Sequence, residues 1–116
     1  MPRRAFLVTC GGAALAAACA RLTYVTGQLD GGALVVRRSE FADRDGVLVE
    51  HASLAFPVYV HRNADDTFTA VLTRCMHRGC TVEPADGRLV CPCHGSEYAT
   101  GGAILKGPTE LPLHRF

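Results

Sequence analysis

The chain has 116 residues, with 12 basic against 11 acidic side chains, 48% apolar residues and 20% charged residues. One domain accounts for that length; the near-balanced charge excludes a protein that binds by neutralising phosphates, and the apolar share excludes a disordered tail. A chain this small builds a thin core, for which a covalent or metal staple is expected, and its six cysteines supply the material.

Residues 1–20 read as an address. They contain Arg3 and Arg4 and no acid, so without them the remainder carries one net negative charge. The apolar run from Ala5 to Ala20 is 16 residues, rich in Ala and Gly. A membrane-spanning helix needs roughly 20 strongly apolar residues, so the run is expected to be a signal core. Pro2-Arg3-Arg4-Ala5-Phe6-Leu7 resembles a twin-arginine export signal. That route carries folded proteins and suits a chain loaded with its cofactor before export. Leu15-Ala16-Ala17-Ala18-Cys19 resembles a lipobox, in which Cys19 would be lipidated and become the mature N-terminus. Ala16 stands where a bulky aliphatic residue is usual, Ala16-x-Ala18 equally fits ordinary signal peptidase, and an uncleaved anchor is the third option. Cys10 is taken as an inert apolar position of the signal. Residues 21–30 are expected to form a short tether, and 31–116 the folded domain.

Downstream, the punctuation favours strands. Ala33-Leu34-Val35-Val36 follows a Gly31-Gly32 turn, and Asp43-Arg44-Asp45-Gly46 precedes Val47-Leu48-Val49. Pro57 to His61 and Thr67 to Leu72 flank Asn63-Ala64-Asp65-Asp66 and read as a hairpin. Two cysteine-rich loops follow Arg74, separated by Asp86-Gly87 and a short strand Arg88-Leu89-Val90. Gly101-Gly102 then turns into Ala103-Ile104-Leu105, and the chain closes with Leu111 to Phe116. No segment sustains a 3.6-residue period. Short strands with frequent turns predict an all-β, small antiparallel sandwich or barrel.

The chemistry lies in the two loops, Cys75-Met76-His77-Arg78-Gly79-Cys80 and Cys91-Pro92-Cys93-His94-Gly95-Ser96. C-x-H in one and C-x-x-H in the other offer soft and borderline ligands from two places, which points to a metal site. Two Cys and two His suit tetrahedral zinc. Each loop also carries one further cysteine. His51, His61 and His114 stand apart from the loops and receive no ligand role.

From about Val58 to Leu113 the chain resembles the Rieske iron–sulfur proteins, in the branch with a disulfide and a high potential. The resemblance implies one [2Fe–2S] cluster per chain, held in a two-loop subdomain at about residues 74–98. Cys75 and Cys91 would bind one iron, and His77 and His94 the other. Cys80 and Cys93 would form a disulfide between the loops. Ser96 and Tyr98 would donate hydrogen bonds to cluster sulfur and to a ligand thiolate. Gly107 to Pro112 resembles the proline-containing segment that covers the site.

Two ferric irons, two sulfides and two thiolates leave a roughly neutral core, whereas four thiolates leave a dianion. Reducing the neutral core costs less, and such clusters lie at about −150 to +300 mV against about −400 mV for four-cysteine ones. Hydrogen bonds to sulfur raise the potential further. Imidazole bound to ferric iron also parts more readily with its remaining proton, coupling electron to proton uptake. The disulfide would contribute roughly 3 kcal/mol and persists only in an oxidising compartment, in agreement with an export signal.

The expected function is periplasmic single-electron transfer, as a carrier or as the small subunit of an oxidoreductase, without bond-making chemistry of its own. A redox protein partner (a cytochrome or a larger oxidoreductase subunit) is expected, with the chain held at the outer face of the cytoplasmic membrane by a lipid or signal anchor, and no nucleic acid. The alternative is the iron–sulfur subunit of a quinol–cytochrome c reductase, with quinol as a partner. Arg78 weighs against it, because quinol-oxidising relatives usually have an apolar residue after the first ligand histidine. A structural zinc module is the third reading.

Overall fold

The computed structural model describes residues 22–116. The segment expected to be an export signal, with Arg3, Arg4, Cys10 and Cys19, lies outside the described residues. Ten strands run in chain order: β1 (Tyr24–Thr26), β2 (Gln28–Asp30), β3 (Ala33–Val35), β4 (Gly46–Glu50), β5 (Val58–Arg62), β6 (Phe68–Leu72), β7 (Glu83–Ala85), β8 (Arg88–Val90), β9 (Glu97–Tyr98) and β10 (Ile104–Lys106). A 3₁₀ turn, Arg38–Phe41, precedes β4. The strands form two four-stranded sheets, β1-β4-β5-β6 and β10-β9-β8-β7, and the hairpin β2-β3.

The β4-β5-β6 meander follows from the sequence. Asp66, at φ 68°, takes the left-handed turn position before β6. Asn63 N–H donates to the Thr67 carbonyl and Asp66 N–H to that of Asn63, fixing the hairpin register. The register pairs Val58 with Leu72 and Arg62 with Phe68.

Val47, Leu48 and Val49 are all at most 2% exposed, so β4 is covered on both faces rather than on one. Leu48, Tyr59 and Val71 project toward the second sheet and share a core with Val82, Leu89, Tyr98, Leu113 and the two cysteines Cys75 and Cys91. The alternate residues Val47, Val49 and Val58 pack on the other face with Phe41, beneath the β2-β3 hairpin residue Leu34. The period of two along each strand thus feeds two separate cores, and the functional loops grow out of the first.

The expected tether is corrected by the structure. Within residues 21–30, Tyr24–Thr26 pairs with Leu48–Glu50 in a parallel arrangement, and Gln28–Asp30 pairs with β3. The Thr23 carbonyl accepts from Leu48 N–H and Gly27 N–H donates to the Glu50 carbonyl. These bonds satisfy the β4 edge, which would otherwise present unpaired backbone groups. The remaining sheet pairs are antiparallel. The C-terminal segment joins β6 through an isolated bridge, Val71 to Arg115, and the Phe116 N–H donates to Ala70.

Candidate metal centre

The two cysteine-rich loops leave the first core side by side, and each closes on itself by the same pattern. Cys75 N–H donates to the carbonyl of Cys80 (2.7 Å), and Cys91 N–H to that of Ser96 (2.8 Å). Gly79 N–H returns to the Cys75 carbonyl and Gly95 N–H to the Cys91 carbonyl, both at 2.9 Å. Gly79 and Gly95 take φ of 76° and 82°, left-handed values that a side chain would oppose. The equal Cys-to-Gly spacing in the two motifs is therefore a conformational signature. Each loop has a closed neck: Arg74 bridges Thr81 below the first, and β8 pairs with β9 below the second.

A disulfide joins Cys80 to Cys93 and ties the loops across a sequence separation of 13. Cys75 and Cys91 remain free thiols, 0% and 1% exposed. The sulfurs of Cys80, Cys91 and Cys93 lie within 4.8 Å of one another, but two of them are bonded to each other, so that trio is no ligand set. The His77 and His94 rings stand edge to face with centroids 4.8 Å apart. His94 is exposed and His77 half-buried. His77 Nδ1 is buried and has no hydrogen-bond partner. Such an atom is costly unless something not made of protein completes it.

Tyr98 is fully buried, and its hydroxyl lies 3.3 Å from Cys75 Sγ. Met76 N–H donates to the same oxygen, also at 3.3 Å. With its accepting side engaged there, the phenol directs its hydrogen to the sulfur. Burial, followed by the Cys75 thiol, pushes the Tyr98 pKa up, so the phenol keeps that hydrogen. Burial also opposes ionisation of Cys75, yet the Tyr98 bond and the backbone N–H of His77 outweigh it and draw the thiol pKa down. Cys91 is pushed up, by burial first and then by its neighbour Cys75. Ser96, 0% exposed, accepts from Thr109 N–H at 3.1 Å. This bond brings the segment after Gly107 onto the site. Every residue singled out in the two loops is thus brought to one end of the molecule, whereas His51, His61 and His114 lie in other parts of the fold. Thr109 carried no individual signal in the sequence, because its contribution to Ser96 is a backbone N–H.

Residues 28–116 match the family model described as Rieske [2Fe-2S] domain. The chain belongs to the Rieske family. It is similar to the cytochrome b6-f complex iron-sulfur subunit 3 of Nostoc sp. strain PCC 7120, at 41% identity over 61 residues, 49% of this chain and 34% of that one. The corresponding subunit of Chlorobaculum thiosulfatiphilum is 43% identical over 56 residues, 47% of this chain and 31% of that one. The chain thus spans about a third of the length of these curated relatives. A solved Rieske structure, the cyanobacterial plasma membrane protein PetC3 from Synechocystis PCC 6803, aligns with a TM-score of 0.59 and 32% identity, covering 68% of this chain and 81% of that one.

Membership of the Rieske family brings one [2Fe–2S] cluster. The residues present fit that group. Two buried free thiols, a buried ring nitrogen without a partner and a second imidazole at the surface are carried by two loops that the disulfide locks together.

Proposed function

We propose that Cys75 and Cys91 hold one iron of the cluster and His77 and His94 the other, and that the protein passes single electrons on the exported side of the cytoplasmic membrane. It does so as a mobile carrier or as the small subunit of an oxidoreductase. The observation that carries the ligand assignment is His77 Nδ1, buried and unpartnered on the loop that also holds the buried free thiol of Cys75. The bound cluster supplies a one-electron carrier of high potential, because two neutral imidazoles stand in place of two thiolates.

The chain's own residues tune and expose that carrier. Tyr98 donates to Cys75 Sγ and draws charge off the thiolate. The Ser96 hydroxyl, with its accepting side taken by Thr109, keeps its hydrogen for cluster sulfur. His94, the exposed imidazole, offers the edge at which a partner exchanges electrons. The disulfide supports an oxidising compartment, as does the twin-arginine resemblance around Arg3 and Arg4.

Electron paramagnetic resonance of the exported protein, reduced with ascorbate and then with dithionite, tests the assignment. A Rieske signal with ascorbate alone is expected. A signal only with dithionite refutes the high-potential reading. Changing Arg3 and Arg4 to Lys should retain the protein in the cytoplasm, and unimpaired export refutes the twin-arginine route.

A second reading, the iron–sulfur subunit of a quinol–cytochrome reductase, is favoured by the names of the curated relatives, which are cytochrome b6-f subunits. The exposed cation Arg78, next to His77, counts against seating in an apolar quinol pocket. Quinol-dependent reduction in membranes, abolished by quinol-site blockers, distinguishes the second reading from the first.

A further inference from the structure

We propose that Thr109 is a positioning residue that orients the Ser96 hydroxyl toward the cluster and thereby sets part of its reduction potential. The inference rests on the cluster reading given above and adds a residue to it. Ser96 is 0% exposed, and the one hydrogen-bond partner of its hydroxyl among the described residues is Thr109 N–H, at 3.1 Å. A serine hydroxyl that accepts on one side retains a single hydrogen, whose direction is set by the group it accepts from. The position of the Thr109 backbone therefore restricts where the Ser96 hydrogen points.

Thr109 holds that backbone in place with its own side chain. It is 6% exposed, and its hydroxyl donates to the Leu111 carbonyl at 3.0 Å, closing a turn over Glu110. The rest of the segment has little other restraint nearby: Glu110 is exposed, and Leu111 is 54% exposed. The next backbone anchor is Leu113 N–H on the Gly102 carbonyl. Valine at position 109 keeps the β-branched shape and removes only the hydroxyl. The Leu111 carbonyl is then free to turn to water, and the Thr109 N–H loses its fixed direction.

The test compares Thr109→Val, Thr109→Ser, Ser96→Ala and the double variant Ser96→Ala/Thr109→Val in the cluster-loaded protein. Midpoint potential, iron content and unfolding midpoint are measured for each. Thr109→Val should keep its iron and become up to about tenfold harder to reduce, which is a fall of up to ~59 mV for one electron. Thr109→Ser should retain the parent potential. In the Ser96→Ala background the valine substitution should shift nothing further, because the two changes remove the same interaction. A Thr109→Val shift that persists undiminished without Ser96 overturns the proposal and assigns the effect to packing or to the Thr109 side chain acting on the Tyr98 hydroxyl. An unmoved potential in Thr109→Val, with Ser96→Ala lowered, overturns this proposal alone. An unmoved potential in Ser96→Ala overturns both this proposal and the reading of Ser96 on which it rests.

Discussion

Replacing Cys80 and Cys93 together by alanine should cost the protein about 3 kcal/mol of stability. The disulfide spans a sequence separation of 13 and joins two loops that have no strand pairing to each other. In the chain-entropy relation a closed loop of that size removes about 10 cal/mol/K from the unfolded chain, or about 3 kcal/mol at 25 °C. A domain of this class has about 5–15 kcal/mol in total, so the loss is a large fraction. The melting temperature should fall by about 12–24 °C, taking about 4–8 °C per kcal/mol at this size. Alanine at both positions avoids leaving an unpaired thiol, and the half-buried Cys80 leaves no polar group against the core. Guanidinium unfolding followed by circular dichroism reads the change, with parent and variant compared at equal cluster content. A loss below about 1 kcal/mol would refute the argument, because it would mean that the loops stay associated in the unfolded chain without the bond.

The other expectations concern single sites. Gly46→Ala should destabilise by about 1–3 kcal/mol, since a Cβ there meets the Tyr59 hydroxyl and comes within 2.5 Å of its ring carbon Cζ, in a side chain only 8% exposed; an unchanged denaturation midpoint would contradict it. Tyr98→Phe should lower the reduction potential while retaining the cluster, because Cys75 Sγ loses its donor; it also strips Met76 N–H of its acceptor, at a cost of about 1–3 kcal/mol. An unmoved potential in that variant would remove Tyr98 from the tuning set. His94→Cys should lower the potential sharply or abolish cluster assembly, as seen by absorbance and iron content, and a parent-like spectrum and potential would take His94 out of the ligand set.

Much of the β4-β5-β6 sheet was legible because its strands are five residues long and its turns carry Asn, Asp and Gly. The other strands are three residues or fewer. β1 was read as a tether since Tyr24-Val25-Thr26 has no local partner; its pairing with β4 is parallel and distant in sequence, and no pattern within the segment announces it. β7 was hidden by Pro84, which a strand tolerates because β7 is the edge of its sheet. The metal centre was far more legible, because a cluster fixes residue types at fixed spacings. Both loops could be read from the letters, and the family resemblance they carry implied the Cys80–Cys93 pair and the donor Tyr98. Thr109 could not, since any residue but proline has the N–H that reaches Ser96.

The parallel pairing of β1 with β4 has a consequence for how the domain is held. Leu22 enters beside Gly46 and the Asp86-Gly87 turn, with which it lines a shallow pocket. The cysteine loops leave from the opposite ends of the same strands, after Leu72 in one sheet and after Val90 in the other. The sandwich is therefore bipolar, with Leu22 at one pole and the redox tip forming the other. A five-residue strand holds the two apart by roughly 17 Å. The imidazole edge therefore faces away from the pole that Leu22 occupies.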